Sequence, residues 1–278
     1  MKKFLYLFIF LILNSCVNPT LSTQSEIEVF KKKYPEQIKF FVGKEKTMQY
    51  ATAGNPQNRP LVFVHGSPGS WEGWVHFLLD SGLQSKFQII AIDRPGYGGS
   101  NPGVAEISLA KQASDIIEVL KFNQSHLPAI LVGHSFGGPV IAKMAIDYPS
   151  QVAGLVFVAS SVSPELEFTK WYQYPANWWP LKVLIPTALR ICNQEILPLK
   201  GELEKLLPEW KNISTKVALI HGQKDDLVPF ANQKFLSDHL LNSQIVKTSL
   251  IPDMNHFVPW MHPELITESI NEVNNAIK

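Results

Sequence analysis

Ser135 stands in Gly133-His134-Ser135-Phe136-Gly137-Gly138, directly after the apolar run 129–132 and directly before a helical pattern. A serine on so sharp a strand-to-helix turn needs small neighbours two places to either side, and Gly133 and Gly137 meet that demand. The turn lifts the hydroxyl clear of the strand at the positive end of the following helix. A serine hydroxyl is a poor nucleophile by itself, so it needs a general base, and the base needs an acid to orient it. Two later loops supply both residue types. His221-Gly222-Gln223-Lys224-Asp225-Asp226 follows the apolar run 217–220, and Pro252-Asp253-Met254-Asn255-His256 follows 245–251. Asp225, Asp226 and Asp253 are the candidate acids. Phe136, right after the serine, would offer its backbone N–H to a developing oxyanion. No His, Cys or Asp cluster has metal-ligand spacing, so neither a metal nor a cofactor is predicted.

The elements that must carry these residues alternate. The chain has 278 residues, 45% hydrophobic and 18% charged, with a formal net charge of +1. That composition excludes a disordered tail, a collagen and a coiled coil. Without a basic stripe there is no case for a nucleic-acid partner. Beyond the N-terminus no run of ~18 apolar residues exists, which excludes a multi-span membrane protein. Runs 61–64, 129–132, 155–158 and 217–220 are continuously apolar, as strands buried on both faces are, and 87–92 and 245–251 continue the series. Residues 38–42 and 47–51 are predicted to pair as a hairpin through the turn at 43–46. Helical spacing is read over 109–120, 136–148 and 263–277. Strands alternating with helices imply an α/β fold, a mostly parallel central sheet flanked by helices. In such a sheet, ligands bind beyond the carboxyl ends of the strands.

Four strings resemble the motifs of α/β-hydrolase-fold enzymes, in the capped esterase, C–C hydrolase and haloperoxidase-like group. They are His65-Gly66-Ser67-Pro68-Gly69, Asp93-Arg94-Pro95-Gly96-Tyr97-Gly98-Gly99-Ser100, the stretch 133–138, and Gly222…Asp225…Val228-Pro229 with His256 downstream. The resemblance runs from about Gln37 to the end of the chain. It implies Ser135 as nucleophile, Asp225 as acid and His256 as base. It also implies that the N–H of Ser67 joins that of Phe136 in an oxyanion hole. Asp93 and Arg94 are read as fixing a loop. His65, His134 and His221 are read as structural, His262 as the cap of the last helix, and His76, His126 and His239 as surface or boundary residues.

The N-terminus reads differently. Lys2 and Lys3 precede the apolar run 4–13, too short to span a bilayer, and Leu13-Asn14-Ser15-Cys16 resembles a bacterial lipobox. The expectation is a signal peptide at 1–15, lipidation at Cys16, and an exported lipoprotein of a bacterial cell envelope, held to the membrane by its acyl chains alone. Cys16 and Cys192 are the only cysteines, so lipidation would leave no internal disulfide. Loss of Lys2 and Lys3 takes 25 basic residues to 23 against 24 acids, a net charge of −1.

The expected organisation is therefore signal 1–15, tether and short helix 16–35, core 36–159, helical lid 160–214 and core 215–278. Ser25 with Glu28 suggests a capping box for the short helix, which Pro35 stops. Most lid aromatics are assigned to a small packing core, and Cys192 to a buried position. The predicted activity is a serine hydrolase cleaving a small or medium apolar acyl ester, a small-molecule substrate. The alternatives are the same triad acting on C–C, thioester or amide bonds or in perhydrolysis, and a non-catalytic surface binding protein on the same fold. Epoxide hydrolase and haloalkane dehalogenase chemistry is disfavoured, because those members carry Asp where this chain has Ser135. Oligomeric state is not legible.

Overall fold

A computed structural model describes residues 21–42 and 47–277. The signal peptide, Cys16, the tether before Leu21 and the turn at 43–46 lie outside the described residues. Eight strands form one sheet: β1 (Ile38–Val42), β2 (Thr47–Ala53), β3 (Arg59–Val64), β4 (Phe87–Ile92), β5 (Ala129–His134), β6 (Val152–Val158), β7 (Lys216–Gly222) and β8 (Gln244–Ile251). Their order is β1-β2-β4-β3-β5-β6-β7-β8. β2 runs antiparallel to β1 and β4, and every other pairing is parallel.

Parallel strands need crossover connections, and helices supply them. The longer ones are α1 (Leu21–Lys33), α2 (Leu109–Ile117), α3 (Gly137–Asp147), α4 (Thr187–Ile196), α5 (Leu199–Leu206), α6 (Ala231–His239) and α7 (Pro263–Ala276). Two apolar cores result, one on each sheet face. Val62, Leu131, Leu155 and Val217 point to one with α2 and α3, while Phe63, Val132, Val156 and Ala218 point to the other with α7. This period-2 split explains why the runs at 61–64, 129–132, 155–158 and 217–220 are apolar at every position. Both edges depart from it, with Phe40 and Val42 of β1 and Leu250 of β8 exposed.

Two local expectations fail. α1 begins at Leu21, so Ser25 lies inside the helix and no capping box forms there. His262 does sit at the N-cap of α7, but its side chain makes no cap bond and instead meets the Glu264 carboxylate at 3.0 Å. Proline at the first helical position removes one N–H that a cap would have served.

Between β6 and β7 the described residues contain no strand. Short 3-10 turns (Trp171–Gln173, Pro175–Asn177, Leu181–Leu184) lead into α4 and α5, forming the helical lid. Its aromatics do not make a core. Trp210 is buried, yet Trp171, Tyr174, Trp178 and Trp179 face outward, and Cys192 is half-buried. Trp178 and Trp179 follow a 3-10 turn and an extended step, so no helix phase forces either one inward.

Candidate active site

The elbow is built as its sequence demands. β5 delivers Ser135 at φ +53°, a left-handed conformation rarely adopted by a side-chain-bearing residue, and α3 starts two residues later. Such strain costs of order 1–3 kcal/mol and survives only where neighbours fix it. Here the Ser135 N–H donates to the Val158 carbonyl at 3.0 Å, and its carbonyl accepts from Gly138 N and Ser161 N at 3.0 and 3.2 Å. A Cβ on Gly133 would stand 2.6 Å from the Gly137 carbonyl oxygen, and one on Gly137 would stand 2.3 Å from that of Val64. Any larger residue would push the turn off β3. Phe136 enters at the start of α3, where N–H groups have no intrahelical acceptor.

Asp225 and His256 meet. Asp225 Oδ2 lies 2.7 Å from His256 Nδ1, and its Oδ1 accepts from the N–H groups of Leu227 and Val228 at 2.9 and 2.8 Å. Nε2 of His221 stands 3.3 Å from the same Oδ2. Burial by itself would raise the Asp225 carboxyl, but hydrogen bonds from His221, His256 and the Val228 N–H outweigh it and hold the group well below the carboxylate range. Asp226 is exposed, and Asp253 pairs with Lys224 at 2.7 Å, so neither faces His256. The serine and histidine loops are docked through His134. Its ring centroid lies 4.6 Å from that of His256, and its Nε2–H donates to the His256 carbonyl at 3.1 Å.

Ser67 is positioned by a buried network. The Arg94 guanidinium donates to the carbonyls of His65 (2.8 Å) and Gly66 (2.9 Å), to Gln112 Oε1 (2.9 Å), and through both terminal nitrogens to Glu195 (2.8 and 2.9 Å). A peptide's C=O and N–H point opposite ways, so holding the Gly66 carbonyl fixes the direction of the Ser67 N–H. His65 Nε2 accepts from the Arg94 N–H at 2.9 Å, which leaves the proton on Nδ1, donated to the Gly66 carbonyl at 2.7 Å. Ser67 Oγ pairs with Tyr97 OH at 2.9 Å, and that hydroxyl donates to Glu195 at 2.6 Å. Asp93 staples the loop from beside it, accepting from Trp71 N (2.8 Å) and Gly99 N (3.0 Å).

Sequence reasoning missed Glu195 and Glu167. Glu195 had a signal: it sits four residues after buried Ile191, on the inward face of α4. Glu167, at the lid's base, accepts from Ser161 Oγ, and burial pushes its carboxyl up to about 7. A cleft of about 660 Å³ opens beside the lid, lined by residues including Val104, Ile107, Gln194 and Leu197, and contains no triad candidate.

This wiring makes the fold acid-labile. Burial, with His256 beside it, lowers His134 to about 3; burial and Arg94 lower His65 well below its usual value. Both are neutral in the native state, whereas the unfolded chain binds a proton on each as pH falls through ~6.5. Stability is therefore complete above that pH and lost below it, by about 2 kcal/mol per histidine at pH 5. Asp93, raised by burial to about 6, opposes this, because the native state takes up its proton first and recovers about 1.4 kcal/mol. His76, a boundary residue lowered to about 4, adds about 2 kcal/mol to the loss. Glu167, raised to about 7, likewise takes its proton first in the native state and recovers about 2.4 kcal/mol, so urea unfolding at pH 7.5 and 5.0 should differ by roughly 2 kcal/mol in favour of pH 7.5. Equal midpoints would mean the buried histidines carry protons in the native state.

Comparison with known proteins agrees with this architecture. A family model described as alpha/beta hydrolase fold matches residues 59–182. Epoxide hydrolase 3 of Mus musculus is 22% identical over 262 residues, covering 78% of this chain and 71% of that protein. The uncharacterized hydrolase YugF of Bacillus subtilis is 27% identical over 259 residues, 78% of this chain and 90% of its own. Several other relatives match over less than half of their length. The crystal structure of the esterase RhEst1 from Rhodococcus sp. ECU1013 superposes with a TM-score of 0.66 at 21% identity, over 87% of this chain and all of that one. In sheet order, elbow and motif match alike, the chain has the α/β-hydrolase fold.

Proposed function

We propose that the protein is a serine hydrolase acting on a carboxylic ester with a small or medium apolar acyl group, with Ser135, His256 and Asp225 as its triad. The observation that carries this reading is the buried 2.7 Å contact of Asp225 with His256 Nδ1, taken together with a serine held at positive φ on the elbow. His256 Nε2 takes the Ser135 proton as Oγ attacks the carbonyl carbon, and the Ser67 and Phe136 N–H groups receive the oxyanion. Collapse breaks the ester C–O bond, and the imidazolium returns the proton to the leaving alkoxide. Water, deprotonated by His256, then cleaves the acyl-enzyme. A serine suits acyl transfer because its ester intermediate is hydrolysable. Opening an epoxide with the same hydroxyl would leave an ether that this machinery could not release. The same proposal holds the enzyme at a bacterial membrane through lipid on Cys16.

Fluorophosphonate labelling of the purified protein tests it. Wild type should gain one covalent adduct at Ser135, Ser135→Ala should gain none, and His256→Ala should label far more slowly. A folded wild type that takes no label would point instead to a binding protein on this fold.

A further inference from the structure

The lid spends its aromatics outward. Trp171, Trp178 and Trp179 are 78%, 63% and 74% exposed, and Phe168 and Leu184 stand out beside them. Their backbone is nevertheless secured. Asn193 Nδ2 on α4 donates to the Gln173 carbonyl at 2.8 Å, and Gln194 on the same helix reaches Asn177 at 3.4 Å. Exposed apolar patches of this kind mark interaction surfaces.

The chemistry of the patch selects the partner. From Phe168 to Gln194 the chain has no Asp or Glu, while Lys170, Lys182 and Arg190 are present. Protein–protein interface cores deplete lysine. Tryptophan and tyrosine among lysines instead match the head-group layer of a bilayer, where indole rings settle and lysine stems reach the phosphates. Outside 168–194 the chain carries 22 Lys and Arg against 24 Asp and Glu. The chain before the structure fits as well. An apolar run at 4–13 and Cys16 lie just ahead of Leu21, and five residues reach at most about 18 Å. A tether this short holds the body within reach of the bilayer surface.

We propose that residues 168–184 are a membrane-docking surface that seats the lid in the head-group layer of an anionic phospholipid bilayer. This adds a second contact to the one expected of Cys16, and it does not rest on the catalytic reading. It would also bear on the site. Asn193 and Gln194 grip the patch while the next residue, Glu195, grips Arg94 and Tyr97, so one turn of α4 joins the docked surface to the Ser67 loop.

Tryptophan fluorescence of the full chain on vesicles tests this. Of the seven tryptophans, Trp71, Trp74 and Trp210 are buried, Trp260 is partly buried, and residues 1–15 contain none. Phosphatidylglycerol vesicles with acyl chains brominated near the head group should quench roughly 40% of the emission, the share of three rings in seven, if those rings settle at the interface. Phosphatidylcholine alone should quench less. Trp171→Ser/Trp178→Ser/Trp179→Ser should lose the quenching yet keep its rate on a soluble ester, and Ser135→Ala should be quenched like wild type. Wild type that is not quenched overturns the proposal, as does quenching that survives in the triple variant. An unquenched wild type that sediments as a dimer, with the triple variant monomeric, assigns the patch to a second copy instead.

Discussion

Asp225→Asn should lower kcat on an activated ester by about 10⁴-fold with little loss of stability, the size of effect that a wrong histidine tautomer produces in a Ser-His-Asp protease. The reason lies in the two oxygens of Asp225. Oδ1 accepts two backbone N–H bonds, from Leu227 and Val228, so an amide at this position must put its oxygen there. Its NH₂ then faces His256 Nδ1, 2.7 Å away in the native protein. A donor at that position turns Nδ1 into an acceptor and moves the ring proton to Nε2, where the base should be free to accept from Ser135. The loop stays in place because its backbone bonds survive. Asp226→Asn and Asp253→Asn, both at exposed acids, should change kcat by less than threefold, within the small range of surface substitutions. Steady-state rates and thermal midpoints of the three variants decide it. An Asp225→Asn enzyme within tenfold of wild type would move the acid elsewhere.

How much of this was legible depends on what a residue reports about itself. The central strands were plain, because a strand buried on both faces is apolar at nearly every residue, and four of the apolar runs end at His65, Asp93, Gly133 and His221. α6 was not read at all. Its inward face presents Asn232 and Gln233 beside Leu236, and Asn232 is buried to accept the N–H groups of Val162 and Ser163 at 3.0 and 2.9 Å. A helix whose buried positions are amides has no hydrophobic period to detect. The lid failed for the opposite reason. Aromatic composition without a period cannot distinguish a core ring from a surface ring, and here most are on the surface. The elbow and its loops were legible because close backbone approach forces glycine, and that demand is local. Glu195 carried only its place on the Ile191 face of α4; its pairing was not legible, since Arg94 lies 101 residues away and no spacing rule reaches so far.

That distant pair carries the second large effect. Glu195→Leu should cost about 3–5 kcal/mol, because it leaves a guanidinium buried without its counter-charge. Arg94 is fully buried, and its five N–H donors reach five acceptors, two of them on Glu195. For a domain of this size the loss amounts to roughly 6–20 °C in Tm. Arg94→Leu alone should be similarly costly, since it strands the carboxylate and takes a donor from each of the His65 and Gly66 carbonyls. The double variant separates stability from positioning. With both charges gone, the desolvation penalty disappears, and Arg94→Leu/Glu195→Leu should be more stable than either single variant. Its activity should nevertheless stay low. The Gly66 carbonyl would then keep the His65 Nδ1–H but lose the guanidinium, and an oxyanion donor at Ser67 that wanders is worth about as much as one removed, roughly 10²–10³ in kcat. KM on a small ester should move far less than kcat, because the loss falls on the transition state. Recovery of kcat together with stability in the double variant would show the pair to be structural only, with the Ser67 loop held by its own turn.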